Sequence, residues 1–169
     1  SLSISIFEIT NAQFAAYNPD HNYAPVHANH PAIVTPDEAK NYVTWITERT
    51  GQTYRLPNDQ EAARWHKLAR KVAAKENTLN HWAGYDLTWE EVHMLADELD
   101  QLGEDMIRSV GSFLPTTIGE AHVYDLGGNV AELTESGTTY GYSAADYVDP
   151  AATDNQSPKF TGFRLVREE

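Results

Sequence analysis

Cysteine is absent from the 169 residues of the chain. Its absence excludes disulfide bonds, thiolate metal sites and any mechanism with a cysteine nucleophile. No apolar run approaches the roughly 20 residues that span a bilayer, so we expect no membrane insertion. A chain of this length still buries about two thirds of the surface that it exposes when unfolded, which is enough for one domain to fold without cross-links.

Basic residues are also few. The chain has 12 Lys and Arg residues and 25 Asp and Glu residues, which gives a formal net charge of −13. Nucleic acids and anionic membranes are bound through clustered Lys and Arg, so we expect neither as a partner. A divalent cation, a cationic partner or a neutral ligand fits this charge better. Because the chain begins at Ser1 rather than Met, we interpret it as a processed or excised domain, and membership of a larger multidomain chain stays open.

Three helices are predicted in the front half, each from a capping box followed by apolar residues at helical spacing. The capping pairs are Thr35 with Glu38, Asn58 with Glu61, and Thr88 with Glu91. The first helix has Pro36 at its first position and ends at Gly51, the second runs to about Ala74, and the third ends at Gly103. The paired carboxylates of the third helix are interpreted as a solvated face rather than as catalytic acids and bases.

The rest of the chain favours short strands and loops. Leu2, Ile4 and Ile6 alternate with serines, which is typical of a strand with one wet face. After Gly103, short apolar runs predict strands at residues 110–114, 121–124, 130–133 and 163–166. We expect the terminal strands to pair with each other. The predicted fold class is therefore α+β in a single domain over residues 1–169, with short irregular strands, long loops and about three helices.

Six segments, spread in order along nearly the whole chain, resemble the motifs of the formylglycine-generating-enzyme (sulfatase-modifying factor) domain family. They are Glu8-Ile9-Thr10-Asn11 with Phe14; His30-Pro31 with the helix to Trp45; Tyr54-Arg55-Leu56-Pro57 with Glu61; Val110-Gly111-Ser112-Phe113; Tyr124-Asp125-Leu126-Gly127-Gly128-Asn129-Val130-Ala131-Glu132; and Gly162-Phe163-Arg164-Leu165-Val166. The resemblance implies a variant of the C-type-lectin-like fold.

The departures from the family pattern bear on activity. Oxygenase members of the family hold copper through a pair of cysteines, and this chain has none, so we expect no copper and no formylglycine generation. Related sulfoxide-synthase members use iron held by histidines of a second domain, and no such domain is present in the sequence. Residues 86–105 resemble a helical insertion relative to a typical member. The resemblance therefore implies a non-catalytic member.

The resemblance also implies a calcium loop at residues 127–132. Asn129 and Glu132 offer side-chain oxygens, Asp125 is near enough to assist, and two glycines let backbone carbonyls turn inward. Calcium is therefore a candidate ligand of Asp125, Asn129 and Glu132. The alternative is that Asn129 and Glu132 connect buried loop backbone through hydrogen bonds, with no ion.

A second candidate metal site is a histidine cluster. His21, His27 and His30 lie within ten residues, with Asp20 as a fourth candidate ligand for zinc or copper. Their spacing matches no known site, and the family's His-Pro motif already explains His30. This cluster supports the alternative function, a metal-dependent enzyme or oxidoreductase component that acts with a partner domain.

Residues 140–160 are rich in tyrosine, aspartate and asparagine, a composition typical of recognition loops. In the family this stretch lies over the ligand or substrate groove. The candidate ligand-binding residues are Tyr140, Tyr142, Asp146, Tyr147 and Asn155. We therefore predict a non-catalytic binding module whose partner is a protein or a small-molecule or glycan ligand. A plain surface loop, or a regulatory or assembly domain, stays an alternative.

Overall fold

The computed structural model describes residues 2–76, 88–146 and 157–169. Its α-helices are α1 (Asn11–Tyr17), α2 (Pro36–Thr50), α3 (Asp59–Glu76) and α4 (Trp89–Leu102). Short 3₁₀ helices cover Pro25–His27 and Gly103–Met106. The strands are β1 (Leu2–Ile4), β2 (Thr53–Arg55), β3 (Thr116–Ile118), β4 (Ala121–Val123), β5 (Ala131–Leu133), β6 (Thr139–Tyr140), β7 (Thr161–Gly162) and β8 (Val166–Glu168).

The three helices predicted from capping boxes are present. Thr35 and Thr88 accept a hydrogen bond from the third backbone N–H of α2 and α4, and both reciprocal glutamate contacts form. Asn58 and Glu61 make the same exchange at the start of α3. Helix α2 ends at Gly51 in the left-handed region, with a φ of 70°. The predicted starts of these helices are therefore confirmed.

Helix α1 was not predicted from the sequence. Thr10 accepts from the Gln13 N–H, and the Gln13 side chain reaches back to the Thr10 N–H at 2.9 Å. This is the same capping exchange as in the longer helices, with glutamine in place of glutamate. The helix is only seven residues long, so it completes barely two turns and carries too short an apolar stripe to stand out.

The two ends of the chain meet in one sheet, as expected. Strand β8 lies between β1 and β2, antiparallel to both, in the order β1-β8-β2. Arg55 of β2 makes bonds at 2.7 and 2.8 Å to the two oxygens of Glu61, at the start of α3. Its Nε also donates to Glu168 at 2.8 Å. One guanidinium therefore connects this sheet to α3.

Two further sheets follow in the rear half. Strands β3 and β4 form an antiparallel hairpin, and β5 lies between β6 and β7, antiparallel to the first and parallel to the second. In this second sheet Glu132 is opposite both Tyr140 and Gly162. The register therefore places Glu132, at the end of the predicted calcium loop, beside the tyrosine-rich stretch.

Two strand predictions need correction. Residues 110–114 form a turn, because the Val110 N–H donates to the Asn29 carbonyl and the Gly111 N–H to Asp125 rather than to a neighbouring strand. Gly111 also has a φ of 75°, which a strand does not contain. Residues 163–166 are not one strand either, since β7 ends at Gly162 and β8 begins at Val166.

The main core joins the helices to the closing segment of the chain. Phe14 of α1, Tyr42 of α2 and Phe163 are in ring contact, with centroid distances of 5.4 to 6.3 Å. A smaller cluster joins Ala69 of α3 to Val123 and its neighbours. Among the described helices, none combines the length and apolar character needed to cross a membrane.

Candidate functional site

Arg164 is the most deeply buried charged residue of the described chain, with no exposed surface. Its guanidinium donates through Nε to Glu132 at 2.7 Å and through Nη2 to the same carboxylate. It also donates to the carbonyls of Tyr124 at 2.8 Å and Ser5 at 3.1 Å. The Arg164 side chain therefore connects Glu132 of strand β5 to the loop segments at Ser5 and Tyr124, which do not pair with β5 in a sheet.

Two further carboxylates face this guanidinium. Glu8 is 1% exposed and Asp125 is 6% exposed, and both interact electrostatically with Arg164 and Glu132. We call Glu8, Asp125, Glu132 and Arg164 the buried ionic cluster. With all four groups ionised it carries two uncompensated negative charges in a site that water barely reaches, which is costly.

The pKa values of the cluster reflect this excess of carboxylates. Burial raises the pKa of Glu8 well above its usual range, the charges of Asp125 and Glu132 raise it further, and Arg164 only partly opposes them. Burial likewise raises the pKa of Asp125. Burial alone would lower the pKa of Arg164, but Glu132 and the other carboxylates outweigh it, so the guanidinium stays charged.

Some oxygens of the cluster have no donor at normal hydrogen-bond geometry among the described residues. They are Oδ1 of Asp125 and both carboxylate oxygens of Glu8, although the Val130 backbone is close enough to lower the pKa of Glu8. Oδ2 of Asp125 accepts from the Gly111 N–H at 2.8 Å. Buried oxygens in this state need a proton, a water or a cation.

Asn129 is fully engaged with backbone. Its Nδ2 donates to the Arg108 carbonyl at 2.9 Å, and its Oδ1 accepts from the Arg108 N–H at 3.0 Å. Its own carbonyl accepts from the Ala144 N–H at 2.8 Å. Asn129 and Asp125 both have positive φ, at 69° and 61°, which Asn and Asp tolerate better than other side chains. Asn129 therefore holds three chain segments in fixed relation.

The three residues predicted as calcium ligands differ in whether their side-chain oxygens already accept hydrogen bonds from the protein. Asn129 has both ends of its amide in protein hydrogen bonds, and Glu132 is paired with Arg164. Only Asp125 retains a free side-chain oxygen. The predicted set does not fit calcium as a set of three, whereas Asp125 with the neighbouring Glu8 offers oxygens of the type that calcium prefers. Calcium binding stays a prediction.

The first two candidate ligand contacts lie beside this cluster. Tyr140, at the end of β6, and Tyr142 are half-buried, and the ring of Tyr142 lies 6.2 Å from that of His66 on α3. Gly141 between them has a φ of 81°, so the chain turns sharply there. We call residues 140–142 the tyrosine segment.

The turn that leads into the tyrosine segment is attached to α3. Three hydroxyls of this turn donate to one oxygen of Asp59, the first residue of α3: Thr134 at 2.6 Å, Ser136 at 2.8 Å and Thr138 at 2.9 Å. These bonds lower the pKa of Asp59. The negative charge also suits the positive end of the helix dipole. The turn therefore fixes where β6 and the tyrosine segment begin.

Asp146 makes hydrogen bonds within the protein, and its contact with a ligand stays a prediction. Its Oδ2 accepts from Ser143 Oγ at 2.7 Å, and both carboxylate oxygens accept from the Lys159 N–H at 3.2 Å. The carboxylate thus connects Ser143 to Lys159. The other two predicted contacts, Tyr147 and Asn155, lie outside the described residues.

The predicted histidine cluster is only partly assembled. His27 and His30 stack with ring centroids 4.3 Å apart. His21 instead packs edge-on against Phe14, and its Nε2 lies 2.8 Å from Asn11 Oδ1. Within residues 2–76, 88–146 and 157–169, no three metal-ligating side chains of the His, Asp and Glu types are grouped as an ion needs.

Sequence reasoning missed two members of the buried ionic cluster. Glu8 and Arg164 belong to segments that resemble family motifs, and each also interrupts an apolar run, Ile6-Phe7-Glu8-Ile9 and Phe163-Arg164-Leu165-Val166. A lone charge inside such a run is a signal for a buried, paired group. The pairing itself joins residues 32 positions apart and could not be read from spacing.

The chain is similar to known proteins in both sequence and fold. The model of the sulfatase-modifying factor enzyme 1-like domain matches residues 1–169. Among solved structures, PvdO from Pseudomonas aeruginosa is similar, with a TM-score of 0.59 and 21% sequence identity over 99% of this chain and 80% of that chain. At this identity the likeness concerns the fold alone. No match was found among curated proteins. The family match over the whole length means that the chain belongs to the sulfatase-modifying factor enzyme 1-like domain family.

Proposed function

We propose that the chain is a non-catalytic binding module that recognises a protein, small-molecule or glycan ligand through the tyrosine segment and the residues that follow it. The observation that carries the proposal is the position of Tyr140 and Tyr142, which are half-buried and lie next to segments fixed by backbone hydrogen bonds. Tyr140 pairs in register with Glu132, and Ala144 bonds to Asn129. A contact surface on such segments loses little entropy when a ligand binds.

The lack of cysteine supports the non-catalytic part of the proposal. Copper-dependent oxygenases of this family need a pair of cysteines, and the whole sequence contains none. The buried ionic cluster offers no substitute, because Arg164 and Glu132 are committed to each other and have almost no exposed surface. Charged groups in this arrangement stabilise loops and do not meet a substrate.

Calcium would reinforce the same segments. Asp125 would hold the ion, with Glu8 beside it, and the charge supplied by the ion would offset the excess of carboxylates. We expect added calcium to raise the melting temperature of the wild-type protein and to have a smaller effect on Asp125→Asn. An equal rise in both, or no rise in the wild type, would contradict calcium binding at Asp125.

The binding proposal is tested on glycan and peptide arrays probed with the wild-type chain. We expect the double variant Tyr140→Ala with Tyr142→Ala to lose most of the signal on any ligand found. The matched control is Tyr23→Ala, a half-buried tyrosine that contacts His21 on another part of the surface. Equal binding by the double variant and the control would refute recognition by the tyrosine segment.

The stacked histidines favour one alternative function, a metal-dependent enzyme or oxidoreductase component completed by a partner domain. His27 and His30 would supply two imidazoles, and the partner would supply the remaining ligands. Elemental analysis of the purified chain distinguishes the two functions. Stoichiometric zinc, copper or iron that is lost in His27→Ala would support the enzyme and contradict the binding module.

A further inference from the structure

Helix α4 exposes large apolar side chains, and Met94 lies on its outward face. Met94 is 74% exposed and Leu102 is 46% exposed, whereas Leu99 of the same helix is 2% exposed. The buried Leu99 shows which side of α4 faces the protein. Met94 lies five residues earlier, so it points about 140° away from Leu99 around the helix. The Met94 side chain therefore does not pack in the hydrophobic core.

The same stretch has a one-sided charge. From Trp89 to Met106 the sequence contains seven acidic residues and no Lys or Arg, and the acids are Glu90, Glu91, Asp97, Glu98, Asp100, Glu104 and Asp105. Asp100 pairs with Lys159, and Glu91 accepts a bond from the Thr88 N–H as part of the helix cap. Glu90, Asp97 and Glu98 are exposed and form no ion pair within the described chain.

Helical spacing places these three carboxylates around Met94. Glu90 is four residues before it, Asp97 three after it and Glu98 four after it, so all three are its surface neighbours. Leu102 follows Glu98 by one further turn. We call Glu90, Met94, Asp97 and Glu98 the acidic face. A flexible thioether surrounded by carboxylates matches a ligand with an apolar stripe flanked by positive charges.

We propose that the acidic face of α4 is a docking surface for a basic, amphipathic protein segment. Charge complementarity selects this occupant. A nucleic acid or an anionic membrane would meet carboxylates, and a second copy of this chain would bring another −13. A lysine-rich helix with one apolar side buries Met94 and pairs its ammonium groups with the surrounding acids.

The surface is held in place from the opposite side of the helix. Leu99 is buried, Asp100 pairs with Lys159, and the residue after Lys159, Phe160, lies 3.9 Å from the position of a Cβ on Gly103. Helix α4 is therefore held by contacts that lie outside the acidic face. The acidic face shares no residue with the tyrosine segment, so separate variants test the two surfaces.

The probe is an 18-residue synthetic peptide of leucine and lysine with all leucines on one helical face. Binding to the wild-type chain is measured by fluorescence anisotropy at low and moderate salt. We expect binding that weakens with salt, and a loss of affinity of about tenfold in the triple variant Glu90→Lys, Asp97→Lys, Glu98→Lys. A scrambled peptide of the same composition, without an apolar face, should bind more weakly than the designed one.

Two matched controls separate this site from general charge attraction. The triple variant Asp20→Lys, Glu48→Lys, Glu120→Lys makes the same charge change at exposed positions elsewhere and should retain wild-type affinity. Met94→Gln should weaken binding, whereas Val26→Gln, at another exposed apolar residue, should not. Circular dichroism checks that each variant is folded.

Three results would overturn the proposal. One is equal loss of affinity in the two triple variants, and another is equal binding of the designed and scrambled peptides. The third is self-association of the wild-type chain in sedimentation equilibrium that Met94→Gln abolishes, which would assign the face to a second copy. Because the double tyrosine variant leaves α4 intact, it should bind the peptide as the wild type does.

Discussion

Replacing Arg164 with methionine tests whether the buried ionic cluster holds the rear half of the fold together. The variant keeps much of the side-chain volume and removes all four hydrogen bonds of the guanidinium, two to Glu132 and two to backbone carbonyls. It also leaves three buried carboxylates with no positive charge beside them. The change therefore combines lost bonds with uncompensated charge.

The expected cost follows from the burial of the pair. Removing one partner of a buried ion pair costs about 3–5 kcal/mol, because the remaining charge is desolvated without compensation. A domain of this kind has a free energy of unfolding of about 5–15 kcal/mol, so Arg164→Met should remain folded but lose a large share of it. The double variant Arg164→Met with Glu132→Gln should regain part of the loss, since one stranded charge is gone.

Urea unfolding followed by tryptophan fluorescence and circular dichroism measures these changes. The control is Arg64→Met, an exposed arginine of α3, which should change stability by less than about 0.5 kcal/mol. A loss below about 1 kcal/mol in Arg164→Met would refute the structural role of the cluster. So would a double variant that is as unstable as the sum of its two single changes.

Three other variants test single contacts. As the pH rises above about 4.5, the wild type should lose stability relative to Glu8→Gln. The raised pKa of Glu8 means that the folded state favours the protonated carboxyl, so ionisation of Glu8 destabilises the wild-type fold. Parallel curves of melting temperature against pH would contradict this. Asn129→Ala should lose about 2–3 kcal/mol in urea unfolding, because two bonds to Arg108 disappear and the positive φ stays; a loss under 1 kcal/mol would not fit. Asp146→Ala should speed hydrogen exchange at the Lys159 amide, and unchanged exchange would argue against this contact.

The helical half of the fold was predictable because its signals are local. A capping residue and its glutamate partner are three positions apart, so Thr35 with Glu38 and Thr88 with Glu91 identify where α2 and α4 begin. The same signal is present at Thr10 and Gln13, but α1 has only seven residues and therefore too short an apolar stripe to be recognised from periodicity. The pairing of β1 with β8 was expected from the apolar runs at both termini.

The site was less predictable because its contacts join distant segments. Arg164 meets Glu132 and Ser5 across 32 and 159 positions, and neither pairing leaves a trace in local spacing. The composition of residues 140–160 predicts a ligand contact at Asp146, but it does not reveal that this carboxylate accepts hydrogen bonds from the Lys159 amide and from Ser143. Composition shows that a polar side chain is present but not which atoms it bonds.

Differential hydrogen exchange with a ligand from the arrays tests the central claim most directly. If the tyrosine segment is the recognition surface, peptides that contain Tyr140 and Tyr142 should gain protection on binding, while those from α2 should not change. Protection confined to the segment around His27 and His30, with exchange at Tyr140 and Tyr142 unaltered, would contradict the account.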